Sequence, residues 1–189
     1  GRDPARGAGG ARMRVLEPRG AHLTYCTNVH AGESLTAVRD VLTTLVPEVK
    51  RRVSPKADFG VGLRLAAQAA KELDAPAALE AMSDLLAREG LYVFTLNGFP
   101  YGAFHATRVK ERVYLPDWLE DRRVSYTHSL AKVLAALLPE GMRGSISTVR
   151  PSSSAACAAA SSRAHTCTAA GHAVSTSSAK THKSQSFSK

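Results

Sequence analysis

Asn97, Arg64 and His30 are residues through which this sequence could do chemistry, because each falls at or just beyond the end of an apolar run. Leu91 to Asn97 reads Leu-Tyr-Val-Phe-Thr-Leu-Asn and breaks abruptly into the turn-forming loop from Gly98 to Gly102. A buried parallel strand ends in that way, and βα proteins gather their ligand-handling groups at such C-terminal strand ends. Two other runs end similarly: His22 to Tyr25 leads into Cys26 to His30, and Phe59 to Leu65 carries its only charge, Arg64, near its end.

Each candidate has a chemical role and a plainer one. An imidazole serves as metal ligand or as acid and base near neutral pH, which makes His22, His30 and His105 candidates, but isolated histidines commonly only pack or face solvent. His30 and His105 follow strand ends; Glu33, near His30, suits a helix start where an acid favours the dipole. A charge on a strand is costly to bury, so Arg64 should meet an anionic ligand or a carboxylate, with a salt bridge across the fold as the structural alternative. Asn97 and Tyr101 could orient a hydroxylated substrate, or Asn97 could simply cap the turn at Gly98 and Pro100. Arg108, Lys110 and Arg112 read as a solvated helix or as a lid carrying a phosphate-binding lysine. There is no G-x-S-x-G, P-loop, G-x-G-x-x-G or H-E-x-x-H pattern in the chain.

The elements that must position these groups follow from periodicity. From Ser34, a plausible N-cap, Leu35, Val38, Leu42, Leu45, Val49 and Val53 form one face of an amphipathic helix, which Pro47 should kink or restart. Ala66 to Leu73 is a short helix. Asp74-Ala-Pro76 opens another, with Leu79, Met82, Leu85 and Leu86 inward and Gly90 as the stop. A further helix from Arg123 to Leu138 buries Leu130, Val133, Leu134, Leu137 and Leu138, and Gly144 to Val149 is a fourth strand. The order β-α-β-α-β-α-β favours a parallel sheet. In the second strand Phe59, Val61, Leu63 and Leu65 take one face and Gly60, Gly62 and Arg64 the other, as in a barrel whose bulky residues meet outer helices and whose small ones fill the interior. An open doubly wound sheet is the alternative.

The chain has 189 residues, enough for one domain with a real core, and a formal charge of +9. That charge splits into +2 over residues 1–12, +3 over 13–150 and +4 over 151–189, so the excess sits in the ends rather than on a folded surface. Nucleic-acid binding is therefore not expected. Cys26 is the only cysteine before the tail, and Cys157 and Cys167 lack paired C-x-x-C spacing, which suggests neither a disulfide framework nor a zinc site. No run is long and apolar enough for a membrane span or a secretory signal, so the expected location is the cytoplasm. Residues 1–12 have no apolar periodicity and read as a disordered or non-native extension, with Met13 as the expected start. Of the last 39 residues 25 are Ser, Ala or Thr and none is acidic. Residues 150–189 are accordingly expected to be a disordered tail, and a shifted reading frame accounts for its composition and its abrupt onset.

The blocks His22 to His30, Phe59 to Leu65, Tyr92 to Gly102, Val109 to Trp118 and Gly144 to Val149 together resemble the bacterial metabolite traffic protein EboE family, over about residues 13–149. The resemblance implies a xylose isomerase-like TIM barrel, of which this α/β chain would hold the N-terminal half, about four βα units. It implies a role in metabolite export from a biosynthetic cluster, either as an isomerase or epimerase of a sugar-like or polyol metabolite or as a barrel that binds and hands on such a molecule. Asn28, His30, Arg64, Asn97 and Tyr101 are carried over as members of the matching blocks, beside His105 from the loop that follows the third strand. The wider superfamily uses a divalent metal held by carboxylates and histidines mostly from later strands, so in this chain only His30 is even a weak metal candidate. An eight-stranded barrel takes about 250 residues. The chain as written is therefore expected to be an inactive half barrel that aggregates or self-associates through its exposed edges.

Overall fold

The computed structural model describes residues 12–13, 21–102, 114–149 and, for the backbone alone, 174–178. The first strand, β1, is only Tyr25–Cys26 and runs into a 3₁₀ turn at Thr27–Val29. The expected strand from His22 to Tyr25 is thus displaced toward its C-terminal end. The reason lies in the backbone before it: the Leu23 N–H donates to the Met13 carbonyl at 3.1 Å, while Arg12 forms a lone parallel bridge with Asp58. Arg12 therefore belongs with the body of the fold rather than with the extension expected over residues 1–12; residues 1–11 lie outside the described residues.

Helix α1, Leu35–Val53, starts where Ser34 accepts a hydrogen bond from the Ala37 amide at 3.2 Å, so the expected cap is real. Its buried face differs from the expected one. Leu35, Val38, Leu42 and Val46 are buried, whereas Leu45 and Val53 are 46% and 65% exposed. Leu45 and Val46 fall on opposite margins of the stripe set by Leu35, Val38 and Leu42, and the margin that meets the core is that of Val46. Pro47 neither ends nor restarts the helix: Leu42 and Val46 anchor the turns before it, and the cost of one missing amide bond falls on a half-buried side.

Strand β2, Phe59–Arg64, is buried throughout and is followed by α2, Ala67–Glu72, and α3, Pro76–Glu89. Proline opens α3, and Gly90 closes it in the left-handed conformation at φ 62°. Met82, Leu85 and Leu86 are buried and Leu79 is half-buried. Strand β3 is Leu91–Asn97, α4 is Asp121–Leu137 and β4 is Gly144–Thr148, close to the spans expected from sequence. A fifth strand, β5, Val174–Ser178, lies within residues 150–189, the span expected as a disordered tail. The β4 edge supplies a full row of backbone partners from Gly144 to Thr148. The other tail residues lie outside the described ones.

All neighbouring strands are parallel, in the order β1-β2-β3-β4-β5. A doubly wound sheet has a point where strand order reverses. No such point occurs among these strands, and right-handed crossovers between successive neighbours put their helices on one face. One continuous core follows, in which Phe59, Val61, Leu63, Leu65, Val93, Leu96 and Ile146 meet the inner faces of α1 to α4. The result is a mixed α/β fold with a parallel sheet alternating with helices, compatible with a partial βα fold.

The opposite face is lined by small and polar groups. A Cβ on Gly62 would lie 3.1 Å from Cys26 Sγ, 3.2 Å from Thr24 Oγ1 and 3.5 Å from Thr95 Cγ2, so those residues share its face. The register of β3 slips by one residue between its pairings to Val61 and Gly62, leaving Phe94 as the extra residue of a bulge. The slip lets Tyr92 and Phe94 stack at 6.0 Å with His22 beside both, and brings Thr95 and Asn97 level with Gly62 and Arg64.

Candidate functional site

The C-terminal ends of β2, β3 and β4 place Arg64, Asn97 and Ser147 side by side in register, with Gly62, Thr95 and Ser145 one step below. The hydroxyls of Ser145 and Thr95 bond at 2.9 Å. Ser147 Oγ donates to Asn97 Oδ1 at 2.9 Å, and the Phe99 amide donates to the same oxygen at 3.2 Å. Asn97 thus makes the turn at Gly98 and stands in the polar row at once. Its oxygen is committed, so its amide N–H groups are the half that a ligand could use.

Arg64 is 4% exposed. Its Nη2 donates to Glu33 at 3.1 Å and to the Gly102 carbonyl at 2.9 Å, and its Nη1 to the Gly32 carbonyl at 3.1 Å. The guanidinium therefore ties the loop after β1 to the loop after β3. The carboxylate it meets is Glu33, from the adjacent loop rather than from across a barrel. Glu33 serves as this partner instead of only facing the helix dipole. The Nε of Arg64 is buried without an acceptor. It borders a narrow cleft with Thr27, His30 and Gly32 that has room for about 10 Å³, the space of one water.

His30 is half-buried, and its Nε2 shares a hydrogen bond with the Tyr25 hydroxyl at 2.9 Å. Asn28 is exposed on the 3₁₀ turn. Tyr101 leaves the polar row and packs edge-on against Tyr126 at 5.1 Å, while its carbonyl accepts from the Ala67 amide at 2.9 Å. His105, with Arg108, Lys110 and Arg112, lies outside the described residues. Among the described residues no three His, Cys, Asp or Glu side chains gather as a metal site, and no helix is long and apolar enough to cross a membrane.

The sequence reading missed Arg123, which it took only as the start of a helix. Arg123 is fully buried. Its Nε donates to the Pro116 carbonyl at 2.8 Å and its Nη1 to the Gly98 carbonyl at 3.0 Å, and the guanidinium lies 5.6 Å and 5.4 Å from the ring centres of Tyr101 and Tyr126. Burial pulls its pKa down from the usual arginine range, opposed by the nearby Tyr126 and Tyr101 hydroxyls, Asp117 and Glu120. A sequence signal did exist. Arg123, Tyr126, Leu130, Val133, Leu134 and Leu137 recur at helical spacing, so the arginine sits on the inward stripe.

Tyr126 donates its hydroxyl to the Leu65 carbonyl at the end of β2. Burial raises its pKa well above the ordinary 10.0, an effect that Arg123 and Arg64 only partly oppose. The raised folded-state value means that the stabilising contribution of the neutral phenol is full below pH 10 and is lost as pH climbs toward the folded pKa. We expect the melting temperature to fall more steeply above pH 10 in the wild type than in Tyr126→Phe. Parallel alkaline profiles would show that another group controls that limb.

Comparison with known proteins gives no match to a family model, to a curated protein or to a solved structure.

Proposed function

We propose that this chain is the N-terminal part of a sugar isomerase-like barrel of the metabolite traffic kind, and that the sheet face opposite α1 to α4 binds a small hydroxylated metabolite. The observation that carries the reading is the in-register row Arg64, Asn97 and Ser147 above Thr95 and Ser145, at the C-terminal ends of sequentially ordered parallel strands. Amide and hydroxyl groups held at neighbouring heights suit the alternating donors and acceptors of a sugar or polyol. Arg64 contributes by fixing the two loops that flank the row, since its charge is already matched by Glu33. Binding and handing on need no proton acceptor at this face, and they account for its neutral, hydroxyl-rich character. The edges of the sheet that β1 and β5 form among the described residues make a second copy of the chain the natural protein partner.

The test is a panel of free sugars and polyols examined with the full chain by ligand-observed NMR. Saturable binding by one class should weaken about tenfold in Asn97→Ala, corresponding to one lost amide hydrogen-bonding group. A panel with no binder, or binding indifferent to Asn97→Ala and Ser147→Ala alike, would remove the proposal. Exchange of a carbon-bound proton of the bound sugar with solvent deuterium would instead favour an epimerase or isomerase.

A further inference from the structure

On the helix side, away from the polar row, residues of α2 and α4 line a groove of about 340 Å³, a size suited to a small metabolite. Ala67 and Ala70 on α2 are small enough to leave it open, and Tyr101 and Tyr126 form its aromatic floor. Two cations stand at its rim, Lys71 from α2 and Arg122 from α4, together with the hydroxyls of Ser125 and Ser129. Asp74 is the sole acid of the lining, and its carboxylate already accepts from Ser129 Oγ at 3.0 Å.

A second observation points the same way. The Arg123 guanidinium lies against both floor tyrosines, is fully buried, and has no carboxylate at salt-bridge distance among the described residues. Its Nη2 lacks an acceptor. Little solvent screens a cation at that depth, and the carboxylates that act on it, Asp117 and Glu120, lie outside the groove lining. Arg122 is paired with Glu120 at 2.6 Å, but both are surface groups in an exchangeable contact. Lys71 forms no ion pair with a carboxylate among the described residues.

We propose that this groove binds the phosphate group of a small phosphorylated molecule. Lys71 supplies a point charge, Arg122 a forked donor and Ser125 a hydroxyl, a set that matches the several oxygens of a phosphate better than the two of a carboxylate. The volume left beyond the phosphate accommodates a short polyol or sugar body against the tyrosine floor. The site is separate from the polar row on the other face of the sheet, so each stands or falls alone.

The experiment titrates the full chain by calorimetry at constant ionic strength with inorganic phosphate, glycerol phosphate and glycerol. Both phosphate-bearing probes should bind saturably and glycerol should not. Tighter binding of the ester identifies a phosphorylated metabolite as the natural source, and equal or tighter binding of inorganic phosphate identifies the free ion. The double variant Lys71→Gln with Arg122→Gln changes two exposed side chains and should weaken binding at least about tenfold. Arg52→Gln, which removes an exposed cation on α1, should leave it unchanged. Absence of saturable phosphate binding, or equal weakening in Arg52→Gln, overturns the proposal.

Discussion

Arg123→Met is expected to lower stability by about 2–4 kcal/mol in urea unfolding, the largest loss we expect from removing a charge in this chain. Methionine keeps most of the buried volume, so the change isolates the guanidinium. The Pro116 and Gly98 carbonyls each lose a charge-assisted donor, and the rings of Tyr101 and Tyr126 lose the cation beside them. Against this, burying a cation that lacks a matching carboxylate is itself costly, and relieving that cost favours the variant. We expect the lost bonds to win, because both carbonyls belong to the loops that join β3 to α4 and neither is replaced by solvent without opening the core. Arg123→Lys should fall between the two, since an ammonium can serve one carbonyl but not fork to both. A Met variant as stable as the wild type would show that desolvation of the guanidinium outweighs everything it holds.

How far the sequence disclosed this arrangement depends on what kind of signal each part leaves. Strong periodicity located α3, β3, α4 and β4 to within a residue or two, because each buries a continuous face against the same core. The weaker elements depend on tertiary contact. Two residues of β1 carry no pattern of their own, and their position follows from how closely the chain at Leu23 passes β2. In α1 the choice between Leu45 and Val46 turned on one residue of helical phase, which a list of apolar positions does not resolve. For the candidate site, alternation in β2 set Arg64 apart from the core-facing residues, while its neighbour in register, Asn97, is both turn cap and row member. What alternation could not convey was partnership. Glu33 reaches Arg64 from another loop 31 residues away, and Arg123 reaches Gly98 across 25 residues. Such pairings are properties of the fold, not of any window of sequence.

The same limit makes the second large prediction sharp, because Gly60 and Gly62 look equivalent in sequence and are not equivalent in space. A Cβ at Gly60 would stand 2.2 Å from the Leu23 carbonyl oxygen, a backbone atom, and 3.2 Å from the Tyr92 hydroxyl. At Gly62 the nearest atoms are the side-chain ends of Cys26 and Thr24 at 3.1 Å and 3.2 Å, which can rotate away. Gly60→Ala should therefore push the segment before β1 off the sheet and cost about 2–4 kcal/mol, at or above the upper range of overpacking. Gly62→Ala should stay within about 1 kcal/mol, because alanine in a strand also recovers part of the entropy penalty of glycine. Hydrogen exchange adds a local readout: in Gly60→Ala the Leu23 amide, which donates to Met13, should lose protection before the amides of β3. Equal costs for the two substitutions would mean that the Leu23 backbone does not rest on β2. The close approach that defines the start of the polar face would then be absent.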